Sequence, residues 1–217
     1  MYKVIKTNDG SFSLFDVKMK ESYHSKHGAI KEAKHVFLKN GLLSLNKDEI
    51  AILEIGFGTG LNTLLTLKES KKNNININYH TLEPYPISQN MYNILNYHKI
   101  LGMEKQIFLE LHNIKWNEEK KIDDFFILKK IKKSIQMFNA EKKYDLVYFD
   151  AFSPKKQPEL WKPDILRKIF FLLKNNGFLV TYCAQGKFKR NLKEIGYQVI
   201  SLDGPPGKRE MIKAIRK

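Results

Sequence analysis

Ala51-Ile52-Leu53-Glu54-Ile55-Gly56-Phe57-Gly58-Thr59-Gly60-Leu61-Asn62 carries the chain from an apolar strand through a glycine-rich turn into a helical stretch that runs on to Ser70. Glycines at a strand end let the backbone turn sharply and approach a ligand closely, at the crevice where open α/β sheets bind cofactors. A dinucleotide fingerprint needs glycines at the first, third and sixth positions of such a turn, and counting from Gly56 the sixth is Leu61. Glu54 would sit badly beside a pyrophosphate, whereas a cofactor carrying an ammonium and a sulfonium gains from a nearby carboxylate. The turn therefore favours S-adenosyl-L-methionine over a nicotinamide dinucleotide. A purely structural glycine turn is the remaining alternative.

On either side of this turn, apolar strands and helical stretches alternate. INYHTLEP (Ile77 to Pro84), FFILKKI (Phe125 to Ile131), YDLVYFD (Tyr144 to Asp150), GFLVTYCA (Gly177 to Ala184), YQVISL (Tyr197 to Leu202) and the segment from Arg209 to Lys217 read as strands. Helices are expected over Pro163 to Lys174 and Lys187 to Ile195, and Gln106 to Ile122, which contains Trp116, reads as an insertion. This β/α alternation predicts helices on both faces of a mostly parallel sheet. Asp203-Gly204-Pro205-Pro206-Gly207 is too short for a parallel crossover, so the last two strands are expected to be antiparallel. The expectation is a Rossmann-like α/β fold of class I S-adenosylmethionine-dependent methyltransferases, with a seven-stranded, mostly parallel sheet that ends in an antiparallel pair. Before it, residues 1–47 read as a small extension: a hairpin turning at Asn8-Asp9-Gly10, then a helix through Ile30, Ala33, Val36, Phe37 and Leu38. That extension is expected to cover the active site, and residues 48–217 to form the methyltransferase domain.

Composition sets the bounds. A chain of 217 residues, 42% hydrophobic, buries one full core and is short for two. No apolar run is long enough to span a membrane and the N-terminus lacks the layout of a signal peptide, so a soluble, cytoplasmic protein is expected, with no membrane partner. The lone Cys183 lies in an apolar run and reads as a buried small hydrophobe rather than a nucleophile. A net charge of +15 permits a polyanionic partner without establishing one. Lysine supplies most of the excess, arginine occurring only at 167, 190, 209 and 216, and an AT-rich coding sequence yields the same mixture.

Two carboxylates at strand ends carry chemistry. Glu83 is placed to accept both hydrogen bonds of a ribose diol, one β-α-β unit beyond the glycine turn; the alternative is a solvated charge before Pro84. Asp150, closing YDLVYFD, is expected beside the transferable methyl group, where it orients an incoming amine and takes its proton; the alternative is a helix N-cap. The chain lacks the Asn/Asp-Pro-Pro-aromatic motif of exocyclic adenine methylation and a cysteine placed to attack a pyrimidine ring. Methylation of an sp³ amine remains.

EIGFGTGLN, DAFSPKKQPELW (Asp150 to Trp161), GPPGKREM (Gly204 to Met211) and ESYHSKHGAIKEAKHVFL (Glu21 to Leu38) together resemble the MnmC-type tRNA 5-methylaminomethyl-2-thiouridine methyltransferases over almost the whole chain. The resemblance implies N-methylation of a 5-aminomethyl group on the wobble uridine, with the tRNA anticodon stem-loop as partner. By position, Glu54, Gly56, Gly58, Thr59, Gly60, Asn62 and Glu83 would bind the cofactor and Asp150 would act at the transfer centre. Phe152, Ser153, Pro154 and Trp161 would shape the nucleoside pocket, and Tyr23, His24, Ser25, His27 and Gly28 would cover it. Lys208 and Arg209 would contact tRNA, a solvated turn being the equal alternative, and Trp161 has the alternative of packing on the sheet.

Two departures from the family pattern stand out. An acidic residue usually follows the third strand and holds the adenine amino group, and here Lys133-Ser134 stands in its place, leaving Ser134 as a weaker acceptor. A different strand placement would bring Asp123 or Asp124 there instead. The bifunctional relatives also carry a flavin-dependent oxidoreductase, so a chain ending at Lys217 is expected to be the stand-alone (MnmD-type) form, without flavin. His24 and His27 lack further ligands in the sequence, so no metal is expected. The rival readings are an aminopropyltransferase, a methyltransferase for small amines or protein, and a tRNA-binding module without catalysis.

Overall fold

The backbone of Tyr144-Asp145-Leu146-Val147-Tyr148-Phe149 alternates its side chains between two apolar layers. Leu146 and Tyr148 join a core with Leu64, Tyr79 and Phe126, while Val147 and Phe149 join another with Leu53, Leu166 and Ile169. A strand buried on both faces is a central strand of a sheet covered by helices on each side.

The computed structural model describes residues 1–140 and 142–217. Its strands are β1 (Tyr2–Lys6), β2 (Phe12–Asp16), β3 (Glu21–Ser22), β4 (Glu49–Ile55), β5 (Asn76–Leu82), β6 (Glu119–Asp123), β7 (Phe126–Ile131), β8 (Tyr144–Phe149), β9 (Leu173–Thr181), β10 (Tyr197–Asp203) and β11 (Glu210–Arg216). Its α-helices are α1 (Ala29–Ala33), α2 (Leu61–Asn73), α3 (Gln89–Tyr92), α4 (Tyr97–Ile100), α5 (Lys105–Asn113), α6 (Pro163–Leu172) and α7 (Gly186–Ile195). A π-helical stretch, Lys34–Lys39, continues α1.

The main sheet runs β10-β11-β9-β8-β4-β5-β7-β6. β5, β4, β8 and β9 pair in parallel, as do β5 and β7, while β11 is antiparallel to both β9 and β10. The seven expected strands are all present, including Phe126–Ile131 as the third of the parallel set. An eighth, β6, is added antiparallel to β7 at the sheet edge, inside the stretch read as an insertion. The rest of that stretch supplies α5, whose Phe108 and Leu111 are buried.

The chain order reverses between β4 and β8, since β5 follows β4 on one side and β8 flanks it on the other. Such a switch point opens a crevice at the carboxyl ends of the strands. The glycine turn after β4 and Asp150 after β8 both end there. The segment before β4 folds as a separate three-stranded sheet, β1-β2-β3, followed by α1. Tyr23, at its end, packs against the first of the two cores. No helix among the described residues is long and apolar enough to cross a membrane.

Candidate functional site

The crevice is a cavity of about 1170 Å³ bordered by the ends of β4, β5, β7 and β8. Its floor is the glycine turn. Gly56 has φ +100°, and a Cβ there would lie 2.5 Å from the Asp150 carbonyl oxygen, so only glycine lets β4 and β8 close up where they end. Gly58 also has positive φ, and the Tyr23 ring lies 3.2 Å from where its Cβ would be, which lays the N-terminal segment directly on the turn.

Glu83 is tied to that turn. Its Oε2 accepts the Gly58 N–H at 3.0 Å and its Oε1 the Tyr85 N–H at 2.9 Å, leaving each oxygen a second lone pair. Burial lifts its carboxyl above the ordinary range, against the pull of those two N–H groups. Asp150 is half-buried at the opposite wall. Its backbone N–H donates to the Ile55 carbonyl at 3.1 Å, and its Oδ2 accepts from Asn62 Nδ2, in the first turn of α2, at 2.8 Å. Burial pushes the Asp150 carboxyl up to about 7, with the Glu32 charge adding to the rise and Asn62 and Lys208 opposing it. A carboxylate so placed accepts a proton near neutral pH. Asn62 Oδ1 is buried and lacks a hydrogen-bond partner among the described residues.

The cavity brings together Tyr23, His24, Ser25, Gly56, Gly58, Thr59, Asn62, Glu83, Ser134, Asp150, Phe152, Ser153 and Lys208. Tyr23 and Phe152 meet edge to face at 5.0 Å. His24 Nδ1 lies 2.9 Å from Ser13 Oγ and its Nε2 3.4 Å from Thr59 Oγ1, and burial holds its imidazole down to about 4, hence neutral at pH 7. Ser134 lines the wall after β7, while Asp123 and Asp124 lie at the other end of that strand, Asp124 paired with Lys121.

Other expected site residues stand elsewhere. Glu54 is fully buried below the floor, where it accepts from Thr63 Oγ1 at 3.2 Å, and burial pushes its carboxyl up to about 8. Gly60 is the left-handed N-cap of α2. Gly28 caps α1 with φ +136° beside the Asp9 carboxylate, and exposed His27 packs on Gly207; neither lines the cavity. Trp161 is a buttress rather than a wall of the cavity: it is buried against Phe149 and Phe188, and its Nε1 donates to the Phe152 carbonyl at 2.9 Å. Pro154 and Arg209 line a smaller neighbouring groove. Among the described residues no group of three or more His, Cys, Asp or Glu is arranged to hold a metal ion.

Among the cavity residues that escape sequence reasoning are Glu32 and Tyr182. Glu32 of α1 is buried, its Oε2 accepting the Ser25 N–H at 2.9 Å and its Oε1 paired with Lys208. Tyr182 lies directly after β9, its ring 3.7 Å below the Lys208 ammonium and its hydroxyl donating to the Ala151 carbonyl at 2.8 Å. Its place at the carboxyl end of a parallel strand was the available signal.

Comparison with known proteins agrees with this geometry. Residues 98–217 match the family described as S-adenosyl-L-methionine-dependent methyltransferase. The bifunctional tRNA 5-methylaminomethyl-2-thiouridine biosynthesis protein MnmC of Marinomonas sp. is 30% identical over 209 residues, which is 87% of this chain and 30% of that protein. The protein of the same name from Pseudoalteromonas atlantica is 29% identical over 216 residues, 89% of this chain and 30% of the relative. The chain thus spans about 30% of the length of these relatives. A crystal structure of MnmC2 from Aquifex aeolicus superposes with a TM-score of 0.80 at 27% identity, covering 100% of this chain and 70% of that one. CalS10 with bound S-adenosylmethionine, an amino pentose methyltransferase from Micromonospora echinaspora, shares the fold alone, with a TM-score of 0.53 and 10% identity over 88% of this chain and 93% of that one. The family match covers more than half of the sequence and includes the loops that carry Asp150 and Lys208, so the chain belongs to the S-adenosyl-L-methionine-dependent methyltransferases, as an MnmC-like methyltransferase domain.

Proposed function

We propose that the protein N-methylates the 5-aminomethyl group of uridine or 2-thiouridine at the wobble position of tRNA, giving the 5-methylaminomethyl nucleoside. The observation that carries this reading is Asp150: a carboxylate at the switch point of the sheet, raised to about 7, at the edge of a cavity walled by Tyr23 and Phe152. An alkylamine reaches an enzyme mostly as its ammonium ion. It must lose a proton before its nitrogen lone pair can attack carbon. As the carboxylate, Asp150 first holds the ammonium nitrogen in line and then accepts its proton, which frees the nitrogen lone pair for the methyl group.

The residues present fit the cofactor. The positive-φ glycine turn leaves the floor open to close approach, and carboxylates on the walls suit a ligand that carries an ammonium and a sulfonium. S-adenosyl-L-methionine supplies an electrophilic methyl group when bound. Gly56, Gly58 and Thr59 would form its bed, Asn62 would offer the unpartnered Oδ1, Glu83 would accept from the ribose diol and Ser134 would reach the adenine side. Glu54 supports the turn from beneath. The aromatic pair Tyr23 and Phe152 encloses the pyrimidine, and the segment from Tyr23 to Ser25 covers the site and excludes water.

Three substrates offered with labelled cofactor test the assignment: tRNA carrying 5-aminomethyluridine at the wobble position, the same tRNA with unmodified uridine, and a free alkylamine. Label confined to the first supports it. Equal label in the free alkylamine would assign the protein to small-amine methylation instead.

A further inference from the structure

Lys130 of β7 is fully buried, yet its ammonium enters no ion pair among the described residues. Burying an ammonium without a carboxylate is unfavourable, and burial lowers this one to about 8, which leaves it mostly charged at pH 7. Its Nζ donates to the His112 carbonyl and lies over two aromatic rings, 4.6 Å from the Trp116 centroid and 5.4 Å from that of Phe57. His112 stands in the last turn of α5, where backbone carbonyls lack partners within the helix and the helix dipole favours a cation. Lys130 thus closes the carboxyl end of α5 and fixes it to the sheet.

The His112 side chain reaches the glycine turn. Its Nε2 lies 3.1 Å from the Thr59 carbonyl oxygen, and since a carbonyl only accepts, Nε2 carries the proton. Burial holds the imidazole down to about 3, hence neutral, and the ring stacks on Tyr92 at 4.2 Å and meets Phe57 edge to face at 5.1 Å. Tyr97 of α4 donates its hydroxyl to Thr59 Oγ1 at 3.2 Å. Thr59 is therefore held at its carbonyl and its hydroxyl by the segment between β5 and β6. Gly56, Gly58 and Gly60 around it all have positive φ, and glycines contribute little of their own to keeping a turn in one shape.

We propose that Lys130, His112 and Tyr97 are positioning residues for the cofactor, a brace that runs from β7 through α5 and α4 and holds Thr59 of the glycine turn in its binding shape. The inference rests on the reading of that turn as the cofactor's bed and adds the residues that keep the bed formed before the cofactor arrives. Thr59 lines the cavity and the three bracing residues do not, so their effect passes through it. A turn already ordered binds more tightly than one that must be ordered on binding. Loosening the brace therefore weakens the cofactor's hold and leaves the chemistry of methyl transfer as it was.

The test is isothermal titration of S-adenosylhomocysteine into the full-length protein and its variants. His112→Phe keeps an aromatic ring in place and removes the donor, and is expected to raise the Kd about tenfold. Lys130→Met is expected to raise it about three- to tenfold, and Tyr97→Phe, which loses a single hydroxyl, about threefold. His112→Gln, whose amide N–H can reach the same carbonyl, should return the Kd to within about threefold of the natural value. Tyr144→Phe, which removes the hydroxyl bonded to His80 at the start of β8, is the control: it should lower thermal stability and leave the Kd unchanged. In methyl transfer the KM for the cofactor should rise in the same order while kcat at saturating cofactor holds. A natural Kd in both His112→Phe and Tyr97→Phe overturns the proposal, as does a loss that His112→Gln does not recover. Should His112→Phe or Lys130→Met fail to fold, Tyr97→Phe and His112→Gln decide by the same criteria. Glu83→Gln separates the brace from the reading beneath it. Binding weakened by Glu83→Gln but by none of the bracing variants overturns the brace and leaves the turn as the cofactor's bed, whereas binding indifferent to all of them overturns both.

Discussion

Asn62 Nδ2 donates to Asp150 Oδ2 at 2.8 Å, joining the first turn of α2 to the end of β8 across the switch point of the sheet. Two segments separated by most of a hundred residues thereby set the proton affinity of one carboxyl group. Burial raises the Asp150 carboxyl and the Asn62 amide holds it back, so the rise stops at about 7. A carboxyl at that value is half-ionised near neutral pH.

The sign of removing Asn62 follows. The amide stabilises the carboxylate, so Asn62→Ala raises the Asp150 pKa further, and a larger fraction of the enzyme is protonated at neutral pH. The acid limb of the kcat profile is expected to move to higher pH, with turnover at pH 7 falling roughly three- to tenfold. A pH–rate profile of both proteins checks this. A loss of rate with an unmoved acid limb would mean that Asn62 serves the fold or the cofactor only.

Glu54 makes a stability prediction of the opposite kind to a salt bridge. Its folded pKa of about 8 lies above its ordinary 4.5, so its contribution is fully present below pH 4.5 and is lost as pH rises through about 8. Glu54→Gln keeps the shape without the ionisation. It is expected to melt about 2–4 °C above the natural protein at pH 8, a gain of ~1 kcal/mol, and to close that gap at pH 5. Thermal melts at the two pH values decide the matter.

Trp161 holds the loop after Asp150 from behind. Trp161→Ala removes the packing on Phe149 and Phe188 as well as the hydrogen bond to the Phe152 carbonyl, and should cost about 3–5 kcal/mol in chemical denaturation. Trp161→Phe keeps most of the packing and should cost about 1–2 kcal/mol. A stable Trp161→Ala protein with weakened substrate binding would instead restore the ring to the pocket.

The parallel strands were legible because each is buried on both faces and so reads as an apolar run, as in YDLVYFD and GFLVTYCA. β6 was not, since Glu119, Lys120 and Lys121 are exposed on an edge, where charge protects the strand from pairing with other chains. That Glu83 and Asp150 stand at strand ends in the crevice was legible from the apolar runs that precede them. Glu32 was hidden because a carboxylate on a short helix looks like a solvated charge until the C-terminal turn brings Lys208 to it. Trp161 and Gly28 were given to the pocket through their neighbours in sequence. Trp161 turns inward to satisfy its N–H, and Gly28 serves the entry into α1.

The most direct test of the central claim is transfer of labelled methyl from S-adenosyl-L-methionine to tRNA bearing 5-aminomethyluridine at the wobble position, by the natural protein and by Asp150→Ala. The account expects label in the wobble nucleoside and a rate at least about 100-fold lower in the variant, with cofactor binding retained. No label from a folded, cofactor-bound natural protein, or an undiminished rate in Asp150→Ala, would contradict it.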